Sequence, residues 1–143
     1  MRHATTVFVP LGLLTCLLAT LGCASHHSST GTGDSPTPFV TSLEDASDYH
    51  LLLTGTPQTC GMRSGRVRLG PGKSIGLHNT KGHEELLVFL SGRGVALIGE
   101  TTRLQVGVGQ AAYIPPQTPH DILNTGTEPL TYVFCVAPAG PGR

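Results

Sequence analysis

Tryptophan is absent from this chain, and phenylalanine and tyrosine together supply only seven residues. Lysine and arginine number nine, never gather into a run, and are balanced by nine acidic residues, for a net charge of zero. Nucleic-acid surfaces need a basic face and, for single strands, aromatic platforms for stacking. With neither, no nucleic-acid partner is expected. Long apolar runs are equally scarce. Beyond residue 23 none reaches the roughly 20 residues of a membrane helix. Beyond residue 60 no stretch carries a helical period, which argues against a helical domain.

The one sustained apolar stretch is Val7 to Leu21, preceded by Arg2 and His3 and broken by Pro10, Gly12 and Thr15. It has the length of a signal-peptide core and is short for a membrane span. It ends Leu18-Ala19-Thr20-Leu21-Gly22-Cys23, and a small residue before a cysteine there resembles a bacterial lipoprotein cleavage box. Residues 1–23 are therefore expected to export the chain, with Cys23 as lipid anchor to the membrane and the cell envelope or periplasm as location. Thr20 departs from the usual box, so ordinary secretion and an uncleaved anchor stay open. Loss of residues 1–23 removes Arg2 and leaves 120 residues with eight basic and nine acidic groups, net −1. Residues 24–38 are mostly Ser, Thr, Gly and Pro, with Ala24, His26, His27 and Asp34, a flexible linker with nothing to build a core.

Residues 39–59 form a lead-in segment. Ser42 followed by Glu44 and Asp45 suits the start of a short helix, with a cap and acid at its N-terminus. Leu51 to Leu53 reads as an edge strand, broken by Thr54-Gly55-Thr56-Pro57. From residue 60 to 137 short alternating or apolar segments alternate with glycine and proline. Strands are expected at 63–69, 74–78, 84–90, 95–98, 101–106, 110–114, 121–124 and 130–136, and residues 138–143 are a tail. Strands this short and numerous predict an all-β sandwich or jelly-roll barrel.

Within this region His78, Glu85 and His120 are spaced over several strands so that they can close around one divalent metal. Glu85 shares a strand face with Leu87 and Phe89. A carboxylate aligned with them points inward and costs several kcal/mol to bury as an ion unless paired or metal-bound. The opposite face, Leu86, Val88 and Leu90, is also apolar, so this strand is expected to be central and covered on both sides. Plainer readings stand beside these. The histidines could be surface residues, and Glu85 could pair with Arg63, Arg66 or Arg68. His83 could share Glu85's face or lie in a loop beside the site. Glu84 should face solvent, and Asn124 should stabilise a turn.

Two patterns frame these residues: Gly72, His78, Thr80, Glu85, Gly92, and Gly109, Pro115, Gln117, His120, Asn124. They resemble the two motifs of the cupin superfamily, G-x5-H-x-H-x(3,4)-E-x6-G and G-x5-P-x-G-x2-H-x3-N. Eight of the ten fixed positions match at correct spacing, over about residues 60–137. The resemblance, to a small single-domain type-2-like cupin, implies a jelly-roll β-barrel with His78, Glu85 and His120 as metal ligands. Thr80 stands where a second ligand histidine is usual, and Gln117 where a turn glycine is usual. Two histidines and a carboxylate suit a non-haem iron site, and equally Mn, Zn or Ni.

The function this implies is a cell-envelope metal-binding cupin with a small-molecule ligand. As an enzyme it would be a metal-dependent oxygenase or isomerase acting on a small organic acid, sugar or phenolic compound. Alternatives are a metal-free, sugar-like binding module and a purely structural envelope protein. A domain this small suits a homodimer. Two cysteines remain beyond Cys16 and Cys23. In an exported jelly roll, whose first and last strands lie side by side, Cys60 and Cys135 could be joined in a disulfide. The alternative is two buried thiols.

Overall fold

The computed structural model describes residues 35–140. The expected signal segment, Cys23, His26 and His27 lie outside the described residues. Eight strands follow in order: β1 Tyr49–Thr54, β2 Arg63–Leu69, β3 His83–Ser91, β4 Arg93–Ile98, β5 Thr102–Gly107, β6 Ala111–Ile114, β7 His120–Asn124 and β8 Leu130–Pro138. They pair antiparallel in a five-stranded sheet, β1-β2-β8-β3-β6, and a three-stranded sheet, β5-β4-β7. Among the described residues there is no helix, hence none that could cross a membrane. The all-β jelly roll expected from the sequence is the fold observed.

Alternation builds the core. Val67 and Leu69 of β2, Leu87 and Phe89 of β3, and Leu130 and Tyr132 of β8 point inward, facing Ala96, Val106 and Ile122 of the other sheet. Phe89 and Tyr132 meet with ring centroids 5.5 Å apart in a tilted pair. β3 is central, between β8 and β6. Its outer face is not covered as the sequence suggested: Leu86, Val88 and Leu90 are 36–42% exposed.

Three further expectations change. The helix after Ser42 does not form; residues 43–48 are bends and irregular chain. The buried Arg66 guanidinium donates to the carbonyls of Leu43, Asp45 and Ser47 at 2.9–3.0 Å. In a helix, at 3.6 residues per turn, carbonyls two residues apart lie on nearly opposite sides of the axis, so these three could not converge on one guanidinium. Residues 74–78 are not a strand but make two isolated bridges, Ser74 to Leu123 and His78 to His120. Gly76 between them takes φ +94°, which ends extended pairing. Finally, Cys60 and Cys135 are both free. Cys135 lies opposite Ser64 in the β2–β8 ladder, its sulfur 3.5 Å from the Ser64 hydroxyl, so Cys60 is four residues out of register. Neither is a buried thiol: Cys60 is exposed and Cys135 half-buried.

Candidate metal centre

Glu85 reaches the interior because it shares the inward face of β3 with Leu87 and Phe89; it is 4% exposed. His120 opens β7 and is fully buried. His78 is brought alongside by the backbone, its amide and carbonyl each bonding those of His120 at 2.9 Å. Asp121, turned the other way on β7, accepts from the Gly76 amide at 2.9 Å and fixes the segment carrying His78. The two imidazoles stand 4.2 Å apart at 58°. One ligand atom from each of His78, Glu85 and His120 lies within 4.8 Å of the others.

Backbone carbonyls set the histidine tautomers. Thr118 O lies 2.9 Å from His120 Nδ1 and Gly76 O lies 2.8 Å from His78 Nδ1. A carbonyl only accepts, so in each ring Nδ1 carries the proton and Nε2 presents its lone pair. The His120 Nε2 lone pair then faces Glu85 Oε2 at 3.0 Å, and neither atom has a hydrogen bond of acceptable geometry. Two buried acceptors cannot oppose each other at that distance unless a proton is shared between them or a metal ion lies with them. The proton's pull is visible in His120. Burial alone would lower its pKa, but the Glu85 carboxylate and the Thr118 carbonyl outweigh burial, so it is raised. The residues therefore form a group able to hold a metal.

The arginine alternative for Glu85 does not hold. Among the described residues its ionic partner is His120; Arg66 is occupied by three carbonyls, and Arg68 lies on the exposed outer face. Thr80 lines the same cavity, but its hydroxyl donates to the His83 carbonyl at 3.0 Å. His83, with Nδ1 3.1 Å from Thr80 O, is a wall residue and stands outside the three-residue group. Glu84 is turned out to accept from Tyr113 Oη at 3.1 Å. Asn124, fully buried, donates to Leu69 O and Glu128 O and accepts from the Gly126 amide, the turn-stabilising role its position suggests.

Above the cluster opens a cavity of about 420 Å³. Its walls are mainly apolar, including Val67, Leu87, Ile122, Phe134 and Val136. Tyr132 contributes a hydroxyl whose pKa is pushed well above the phenol range by burial, with Glu85 and Asp121 adding to it, so it stays a neutral donor. The exposed Arg63 and Lys81 stand at the rim. The sequence considered Arg63 only as a partner for Glu85, and Lys81 not at all. Strand parity could have found Arg63, which alternates with Val67 and Leu69 and so shares their inward face.

The Cupin domain family model matches residues 65–136. A curated relative, an uncharacterised protein of Methanocaldococcus jannaschii, is 39% identical over 62 residues, covering 43% of this chain and 49% of that protein. The chain thus spans about half the length of that relative. Solved structures share the fold. A protein of Bacillus halodurans aligns over 77% of this chain and 88% of its own, with TM-score 0.63 and 24% identity. A protein of Thermotoga maritima described as a predicted oxalate decarboxylase aligns over 64% and 92%, with TM-score 0.51 and 20% identity. The cupin domain of Schizosaccharomyces pombe Cnp3 aligns over 64% of each chain, with TM-score 0.58 and 16% identity. Family match and eight-stranded barrel agree: the chain belongs to the cupin-domain family.

Proposed function

We propose that this protein is a metal-binding cupin of the cell envelope, in which His78, Glu85 and His120 hold a divalent cation beneath a cavity that admits a small molecule. The opposed lone pairs of Glu85 Oε2 and His120 Nε2, buried 3.0 Å apart, carry this reading. They form a place that calls for a shared proton or a metal ion, and His78 adds a third donor through its Nε2. A metal there would supply Lewis acidity, or oxygen activation if it is iron. The chain's residues do the rest. Thr118 and Gly76 orient the imidazoles, Glu85 brings the negative charge, and Tyr132 offers a neutral hydroxyl from the wall.

The enzymatic form of the reading is oxygenase or isomerase chemistry on a small organic acid, sugar or phenolic compound. A non-catalytic binding module is favoured by one observation, the Thr80 hydroxyl spent on the His83 carbonyl, which leaves three ligands rather than four. The envelope location rests on residues 1–38, with Cys23 as lipid anchor. Elemental analysis after reconstitution with Fe, Mn, Zn and Ni in turn tests the metal. We expect about one equivalent in the wild type and none in His120→Ala or Glu85→Gln. A wild type that retains none of the four, or variants that retain as much as it does, would overturn the assignment.

A further inference from the structure

The inner face of the five-stranded sheet carries a row that runs from Arg63 on β2, through Val136 on β8, to Glu85 on β3. Strands lie about 4.8 Å apart, so the backbones of Arg63 and Glu85 are about 10 Å from each other, one at the rim and one at the floor. Val136, Phe134 and Leu87 cover the wall between them. Phe134 fits because residue 65 is glycine: a Cβ there would stand 2.7 Å from the Phe134 ring. Tyr49 stacks on that ring from the rim, centroids 5.8 Å apart.

The charges are lopsided. Arg63 and Lys81 face one carboxylate, Glu85, so with neutral histidines the cavity carries +1, and a divalent metal raises this to +3. Among the described residues neither cation has an ionic partner. Both side chains are exposed, and what is fixed is where each begins. The Arg63 stem crosses over Gly55, where a Cβ would stand 3.2 Å from its Cγ. The Lys81 carbonyl accepts the Gln117 amide at 2.7 Å, pinning its loop at the mouth.

We propose that the ligand of this cavity is a small carboxylate with an apolar, preferably aromatic, body. Its carboxylate meets the planar fork of Arg63, which matches two carboxylate oxygens, with Lys81 adding charge. Its body lies along Phe134, Val136 and Leu87 towards the His78–Glu85–His120 cluster. A sugar fits poorly: its ring of hydroxyls would meet this wall without partners. This inference rests on reading the cavity as the ligand site, and not on the identity or presence of the metal.

The test is calorimetric titration of the full chain, metal-loaded and chelator-treated, with 3-phenylpropanoate, its neutral amide 3-phenylpropanamide, and glucose. The acid should bind at least tenfold tighter than the amide, glucose not at all, and the preference should survive chelation in weakened form. Arg63→Gln should reduce the preference to below twofold with metal content unchanged, while Arg63→Lys keeps part of it. Lys81→Gln gives a smaller loss and serves if Arg63→Gln fails to fold. Equal binding of acid and amide, no saturable binding of the acid, or tighter binding of glucose overturns the proposal. Acid preference in a protein that takes up no metal would sink the metal reading and leave this one standing; metal without acid preference would do the reverse.

Discussion

At the end of the barrel away from the cavity, backbone presses on backbone. A Cβ on Gly92 would lie 2.5 Å from the Pro129 carbonyl oxygen, and one on Gly94 would run into that of Leu123. Asn124 ties off the same end with three hydrogen bonds. At the other end, side chains stand apart around a cavity, and two buried polar atoms lack hydrogen-bond partners. Gly92 and Asn124 are as much part of the two motifs as His78 and Glu85. The motif spacing therefore records two different demands, close packing at one end and a cluster able to hold a metal at the other.

The contrast can be broken most severely at the packed end. Gly94→Val should destabilise the barrel by about 3 kcal/mol or more, because the obstacle is backbone that cannot rotate away. Urea denaturation measures this, and a loss below about 1 kcal/mol would show that the sheets can part there. At the open end the effect should come from the ion. Excess metal at about 100 times its dissociation constant stabilises by about 2.7 kcal/mol, a gain that chelation removes. His120→Ala should show no Tm change on chelation, and a change equal to the wild type's would place the ion elsewhere.

The pH dependence should separate the two forms of the open end. In metal-free protein the raised His120 pKa lies above its ordinary 6.5, so its stabilising contribution is full below that value. The contribution is lost as pH rises through the folded value. Bound metal requires neutral imidazoles, so the loaded protein should instead release its ion as pH falls through that range. Thermal melts with and without chelator should therefore show opposite trends, and parallel trends would remove His120 from the site. The smallest effect concerns Gln117, which holds φ +60°. A left-handed side-chain-bearing residue costs about 1–2 kcal/mol, offset by the extra unfolded freedom of glycine, so Gln117→Gly should gain up to about 1 kcal/mol. A loss would mean that the Gln117 side chain contributes more than its backbone costs.

What the sequence disclosed and what it hid follow from range. β2 was legible to the residue, and β4 to β8 to within two, because alternation and turn glycines are local signals. His78, Glu85 and His120 were legible as a group because their spacing is shared with a family. The failed helix after Ser42 shows the limit, since Arg66, which gathers the carbonyls of this segment, lies 24 residues beyond Ser42, on β2. Gln117 is a milder case. Its left-handed conformation is what a glycine at that motif position serves, yet the residue itself gives no hint of it. Strand parity could have placed Arg63 on the inward face, but only the ladder shows that it stands in one row with Glu85.

The packed end has a kinetic consequence. Gly92, Gly94 and Asn124 close that end among the described residues, and the Arg63–Lys81 rim borders the cavity at the other. A molecule on the floor that leaves by the rim passes these two cations on its way out. Whatever sits against Arg63 and Lys81 corks what lies below, so a bulky anion at the rim should slow escape from the floor without touching a single metal ligand.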